Sequence, residues 1–223
     1  MSTRVVHMEP VAVRLGTMVL DADLTLPETC TGLVVFAHGS GSSRFSPRNR
    51  AVAVTLNEAH LGTMLMDLLT LPEQESDEYT ARLRFDIDLL ADRLIATVDW
   101  TRQQANLRQL PLGLFGASTG AAAALVAAAK RPDIVRSVVS RGGRPDLAME
   151  QLGQVKAPVL LIVGGHDPQV IEVNDQAARR LAGRYQLDII PGATHLFEEP
   201  GTLDQVAQLA AEWFRETLPP QAQ

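Results

Sequence analysis

The sequence predicts a single α/β domain: a mostly parallel sheet with helices on both faces, opened by an antiparallel hairpin. Three observations carry this. Short apolar runs alternate with amphipathic or alanine-rich stretches along most of the 223 residues, the pattern of strand–helix repeats whose strands are buried on both faces. Two β-rich segments joined by Gly16-Thr17 precede them, as in a hairpin. No internal repeat or interdomain linker divides the chain, so one domain over residues 1–223 is expected.

The elements follow in order. Val11–Leu15 and Met18–Leu26 read as the hairpin strands, and Gly32–Ala37 as a buried strand that empties into the glycine-rich loop His38-Gly39-Ser40-Gly41. Ser46-Pro47 reads as an N-cap and first helical position, opening a helix to about His60 that Gly62 ends. A strand over Thr63–Leu69 and a polar segment, Pro72 to Tyr79, lead to a long helix from Thr80 to Gln104, where Leu83, Ile87, Leu90, Leu94 and Val98 recur at helical spacing. Further strands are predicted at Leu112–Phe115, Val135–Ser140, Val159–Val163 and Gln186–Ile190. Helices are predicted at Ala121–Lys130, Asp175–Ala182 and Thr202–Thr217, the last stopped by Pro219-Pro220.

Composition narrows the function. Hydrophobic residues make up 46% and charged residues 21%, close to the average for soluble domains. The formal net charge is −6 with no basic stripe, which argues against nucleic-acid binding. No apolar run nears the roughly eighteen residues of a membrane span. The first ten residues lack a signal-peptide layout, so a cytoplasmic protein is expected. Cys30 is the only cysteine, which removes an intrachain disulfide and any cysteine-based metal site; it reads as structurally incidental. No metal site is expected. Assembly is expected to stop at a monomer or homodimer.

The sharpest local signal is Gly116-Ala117-Ser118-Thr119-Gly120. It matches G-x-S-x-G and lies between an apolar strand and a helix, where a strained turn exposes a nucleophilic hydroxyl. That turn also aims the Thr119 N–H, at a helix N-terminus, at a developing oxyanion. The competing reading is a glycine-rich turn with a helix-capping serine. A serine nucleophile needs a base, and the base needs a carboxylate to orient it. Asp167 ends the buried run Leu160–Val163 and its small loop, and His195 directly follows the last strand, so both fall at carboxyl ends of strands. His60 and His166 are the rival bases. His60 precedes the nucleophile near a helix end, and His166 is adjacent to the proposed acid.

With these residues, the His38-Gly39 loop, Met66-Asp67-Leu68-Leu69-Thr70 and Gly192-Ala193-Thr194-His195-Leu196-Phe197, the chain resembles the dienelactone hydrolase branch of the α/β-hydrolases over nearly its whole length. The resemblance implies hydrolysis of ester or lactone bonds by Ser118, His195 and Asp167, with no metal or organic cofactor. It also implies a second oxyanion donor from the His38–Gly41 loop: the Ser40 N–H, with Gly39 and Gly41 as alternatives. Two departures stand out. The family's namesake has a cysteine where this chain has Ser118, and its glutamate in the loop after the third strand has no counterpart in His38–Gly41.

Only about Gly142 to Ala157 separates the sixth and seventh strands, room for one short helix near Leu147–Leu152 and not for a lid domain. Small soluble esters are therefore the expected substrates, with promiscuous phosphotriester hydrolysis conceivable. Arg44, Arg141 and Arg144 are candidate contacts for an anionic substrate group; pairing with neighbouring acids such as Asp146 is the competing reading. Asp67 is expected to brace this edge. The alternatives on the same triad are an acyltransferase, thioesterase or amidase; the alternative in another class is a binding protein that keeps the fold without catalysis.

Overall fold

The alternating and continuous apolar runs become eight strands of one sheet in a computed structural model, which describes residues 7–218. β1 (Met8–Leu15) and β2 (Met18–Thr25) form the hairpin around Gly16 at φ +65°, paired from Met8 opposite Thr25 to Leu15 opposite Met18. Then come β3 (Gly32–Ala37), β4 (Leu61–Met66), β5 (Leu112–Ala117), β6 (Val135–Arg141), β7 (Val159–Gly164) and β8 (Tyr185–Ile190). The spatial order is β1-β2-β4-β3-β5-β6-β7-β8. The β1–β2 and β2–β4 pairings are antiparallel, and the pairings among β4, β3, β5, β6, β7 and β8 are parallel.

β4 and β5 thus leave β3 in opposite directions, so the crevice above the carboxyl ends of β3 and β5 is a topological switch point, where open α/β sheets bind ligands. Both of those strands end in the glycine-bearing segments singled out above.

The period-2 alternation of a doubly buried strand sorts the core into two layers. Leu33 and Val35 of β3 join a layer packed under α3 (Ile87–Thr101), α4 (Thr119–Lys130) and α5 (Pro168–Ala178). Val34 and Phe36 join the layer under α1 (Pro47–Glu58) and α6 (Thr202–Thr217), where the Phe36 and Phe115 rings meet at 4.8 Å. α4 is buried on nearly every side. Its alanines make that burial feasible, because a helix with such small side chains can lie close to the central strands. Among the described residues, no helix is long and apolar enough to cross a membrane.

Several boundaries differ from the sequence reading for physical reasons. His60, at φ +63°, makes the left-handed turn after α1. Gly62 instead lies inside β4, where a Cβ would fall 2.8 Å from the Leu26 side chain. The expected long helix begins only at Ile87, where the Asp86 carboxylate accepts the Leu89 N–H at 3.0 Å. The polar segment before it is helical: α2 (Leu71–Thr80) is opened by Glu73, whose carboxylate accepts the Thr70 N–H at 2.8 Å. α5 starts at Pro168 rather than Asp175, with Asp167 as its N-cap. The short helix expected near Leu147–Leu152 is two 3₁₀ turns, Pro145–Ala148 and Leu152–Gln154. Pro219-Pro220 lies outside the described residues.

Candidate active site

Ser118 sits between β5 and α4 at φ +50°, ψ −119°, a conformation costly for any side chain and worth about 1–3 kcal/mol of strain. The surrounding backbone over-determines it. The Ser118 N–H donates to the Arg141 carbonyl at 3.2 Å, and its own carbonyl accepts from Ala121 and Arg144, each at 3.1 Å. The flanking glycines are required by space. A Cβ on Gly116 would lie 2.4 Å from Ala121 Cα, and one on Gly120 would lie 2.2 Å from the Ala37 carbonyl oxygen. Ser118 makes no side-chain capping bond to α4, which disposes of the helix-cap reading.

The carboxyl end of β3 closes over this turn. A Cβ on Gly39 would lie 3.2 Å from Ser118 Cβ, so glycine lets the loop rest on the nucleophile and carries Ser40 alongside. His38 is buried, and its ring links two backbones: Nδ1 to the Gly39 carbonyl at 2.9 Å and Nε2 to the Leu68 N–H at 3.1 Å. Accepting at Nε2 fixes the Nδ1–H tautomer. Burial lowers the pKa of His38, so it stays neutral. This histidine shapes the loop. Neither the Ser40 nor the Thr119 N–H meets an acceptor among the described residues, which leaves both available to an oxyanion.

β7 and β8 deliver the other two residues. The His166 N–H donates to the Ala193 carbonyl at 2.9 Å and the Gly165 N–H to Ile190 at 2.8 Å, locking the two loops together. The resulting pair is short: His195 Nδ1 lies 2.8 Å from Asp167 Oδ2. Nδ1–H donating to a carboxylate leaves Nε2 as the basic nitrogen of the neutral ring. Gly142, next to the nucleophile turn, lies against His195: a Cβ there would fall 3.1 Å from the His195 carbonyl oxygen and 3.5 Å from ring Nδ1 and Cε1. The rival bases stand apart. His60 is hydrogen-bonded to Thr29 at 2.7 Å, and His166 is exposed.

The three candidate anion contacts part company. Arg44 is taken up by Asp67, with Asp21 and Asp23 at 3.8 and 3.7 Å, and Asp67 also accepts the Arg44 N–H at 2.7 Å. Asp67 therefore braces the loop, as its position suggested. The Arg144 guanidinium is held by Asp146 through two bonds of 2.8 and 2.7 Å; only its backbone reaches Ser118. Arg141 has no carboxylate partner among the described residues.

A cavity of about 570 Å³ opens from Gly39 and Ser40 towards Phe45, Arg48, Asp77 and Arg84. Its far wall was not legible as such, because it is α2. Burial pushes the Asp77 carboxyl up. The Arg84 guanidinium at 2.6 Å and the Leu83 N–H at 2.6 Å outweigh this and hold it below the usual carboxylate range. The sequence does carry a signal for this helix, the capping pair Thr70 and Glu73 around Pro72.

Comparison with known proteins places the chain in a family. The profile of the Dienelactone hydrolase family matches residues 72–218. Two Mycobacterium tuberculosis proteins named as phosphoribosyl transferases are each 56% identical over 210 residues, covering 94% of this chain and 46% of their own length. The chain thus spans less than half the length of those curated relatives. The crystal structure of dienelactone hydrolase from Anabaena variabilis superposes with a TM-score of 0.94 at 55% identity, covering 96% of this chain and 99% of that one. Est1E from Butyrivibrio proteoclasticus shares the fold, with a TM-score of 0.79 at 18% identity over 93% and 98% of the two chains. By family profile, by sequence and by fold, the chain belongs to the dienelactone hydrolase family of α/β-hydrolases.

Proposed function

We propose that the chain is a serine hydrolase of small soluble carboxylic esters or lactones, acting through an acyl-enzyme on Ser118. The observation that carries this reading is the strained Ser118 at φ +50°, held by backbone bonds on both sides while its hydroxyl caps nothing. Strain kept at a helix start without a capping bond fits a presented nucleophile.

The residues divide the work. His195 Nε2 takes the Ser118 proton as Oγ bonds to the ester carbonyl carbon. Asp167 holds the imidazolium in place, and the Ser40 and Thr119 N–H groups stabilise the oxyanion. Collapse breaks the bond to the leaving alcohol, which receives the proton from His195. Water then gives a proton to His195, attacks the acyl carbon and returns Ser118 to its hydroxyl form. Catalytic hydrogen bonds often tighten only with substrate in place, so a Ser118 hydroxyl without a hydrogen bond among the described residues suits this scheme.

The polar wall of Asp77, Glu78, Arg48 and Arg84 favours short, polar substrates over long acyl chains. The phosphoribosyl transferase name belongs to relatives of which this chain covers less than half, and the hydrolase reading concerns the shared part. The test is hydrolysis of 4-nitrophenyl acetate and butyrate by the wild type beside Ser118→Ala. Turnover that disappears in the variant supports the assignment; equal rates in both proteins refute it.

A further inference from the structure

The two edges of the sheet differ in how they meet solvent. β1, at one end, carries Pro10, which has no N–H to offer, and the charges of Glu9 and Arg14. Proline and charge are common guards of an edge strand against pairing with another chain. β8, at the other end, reads Tyr185-Gln186-Leu187-Asp188-Ile189-Ile190, with no proline, no basic residue and no break in its register on β7. Its apolar side chains Tyr185 and Ile189 are 45% and 44% exposed.

Backbone geometry decides which groups this edge offers. The Arg184 carbonyl accepts the Val159 N–H at 2.9 Å, and the Ile190 carbonyl accepts the Gly165 N–H at 2.8 Å. In a parallel ladder every second residue bonds the same neighbour, so residues 184, 186, 188 and 190 face β7. Tyr185, Leu187 and Ile189 therefore turn their N–H and C=O groups outward, and no turn, loop or cap bond among the described residues uses them. The side chains are sorted as well. Leu187 packs on the layer under α3, α4 and α5, so Tyr185 and Ile189 lie on that face too. Gln186 and Asp188 share the α6 face with Ile190, and the Gln186 amide donates to the Asp188 carboxylate at 3.1 and 2.9 Å.

The strand is complementary to itself. Run antiparallel about a two-fold axis at Leu187, it sets Leu187 opposite Leu187, Tyr185 opposite Ile189 and Gln186 opposite Asp188. The outward-facing residues then meet one another in hydrogen-bonded pairs, while Gln186 and Asp188 meet in the closer non-hydrogen-bonded pair. An amide donor thus faces a carboxylate, and an aromatic ring faces a β-branched side chain, both favourable across strands. Moving the axis to Asp188 sets that carboxylate against its own copy. Moving it to Gln186 pairs only Tyr185 to Leu187 within the strand.

We infer that β8 is the interface of a homodimer, in which two copies join edge to edge about Leu187 into one continuous sheet. The junction is antiparallel, so the two Ser118 turns lie at opposite ends of the joined sheet. This inference is independent of the chemistry assigned to Ser118. A strand edge buries less than the roughly 1,600 Å² of a standard interface, so the dimer forms as concentration rises.

The experiment has two arms. In sedimentation velocity from about 1 μM to about 200 μM, the weight-average mass should climb from the 24.2 kDa of one chain towards twice that. Gln186→Asp sets like charges opposite each other twice per dimer and should weaken association by about tenfold. Adding Asp188→Lys to it pairs opposite charges and should restore association to within about threefold of wild type. The second arm reads the register by disulfide formation. Gln186→Cys and Asp188→Cys proteins, both carrying Cys30→Ser, are oxidised together and apart. Mixed dimers bring the two cysteines to a Cα separation of about 4.5 Å, within disulfide reach. Each protein alone holds its cysteines on the diagonal, about 7–8 Å apart and out of reach. The mixture should therefore cross-link and its components should not.

A wild type that keeps the mass of one chain up to about 200 μM overturns the interface. So does a dimer that Gln186→Asp leaves as tight as wild type, because it would use another surface. A mixture that cross-links no more than its components overturns the Leu187 register, and this arm stands without the charge variants.

Discussion

Replacing Gly120 by alanine would place a methyl group 2.2 Å from the Ala37 carbonyl oxygen and 2.4 Å from that of His38. Ordinary contact begins at 3.4 Å, so α4 and the loop after β3 must part by about 1.2 Å, the difference between the first distance and that limit. Both obstacles are backbone, so no side-chain rotation relieves them. Overpacking of this kind costs about 1–3 kcal/mol, or about 2–12 °C in Tm for a chain of this size. Catalysis should suffer more, because the two backbones being separated carry the Ser40 and Thr119 N–H groups. A displacement of about 1 Å can cost about 10²-fold in rate, and a lost oxyanion donor about 10²–10³. The assay is kcat/KM on 4-nitrophenyl butyrate with a thermal melt of the same protein. Gly153→Ala is the control, since its nearest neighbour would be 3.9 Å away and both readings should stay near wild type. A Gly120→Ala protein with kcat/KM within about threefold and Tm within about 1 °C of wild type would refute the tight-elbow reasoning, because each predicted loss exceeds those limits.

The other expectations can be put briefly. Asp167→Asn keeps the shape of the acid but turns the oxygen facing His195 into an amide donor, with the other oxygen held by the Val170 N–H, so the wrong His195 tautomer is favoured and kcat should fall by about 10⁴, the scale of that change in serine proteases; a loss below tenfold would remove Asp167 from its orienting role. His38 is held neutral, because burial keeps its native pKa below the ordinary imidazole value of about 6.5. As pH falls below that value the unfolded chain gains a proton before the folded one does, so stability should decline until the native His38 itself titrates. Melting curves between pH 7.5 and pH 5 should show a shallower decline in His38→Asn, and an identical slope would exclude His38 as a source of it.

Much of the fold was legible because burial on both faces makes strands read as continuous apolar runs. β3 was predicted at its observed limits, and α6 likewise, its amphipathic stripe being unbroken from Thr202 to Thr217. Periodicity misled where it ran through a change of element. Leu83 continues the spacing of α3, yet it belongs to a separate 3₁₀ turn, Leu83–Phe85, and Asp86 restarts the helix. α2 was missed because its residues are mostly polar and bury little; its capping pair was the available cue.

At the site, the order and context of Ser118, Asp167 and His195 were readable because each lies at the carboxyl end of a strand, and the geometry brings Asp167 and His195 into direct hydrogen bonding. The arginines were not separable in sequence. Which of Arg44, Arg141 and Arg144 has a carboxylate neighbour depends on loops that meet only in the folded chain. Asp67 reaches Arg44 from 23 residues away, while among the described residues only Asn49 hydrogen-bonds the Arg141 guanidinium.

The account stands or falls on the nucleophile, and covalent labelling tests it most directly. Wild-type protein treated with a fluorophosphonate should gain the mass of one phosphonyl group by intact-mass spectrometry, localised to Ser118 by peptide mapping. Ser118→Ala should gain none. An unmodified Ser118 under conditions that label other serine hydrolases, or equal labelling of Ser118→Ala, would contradict the central claim.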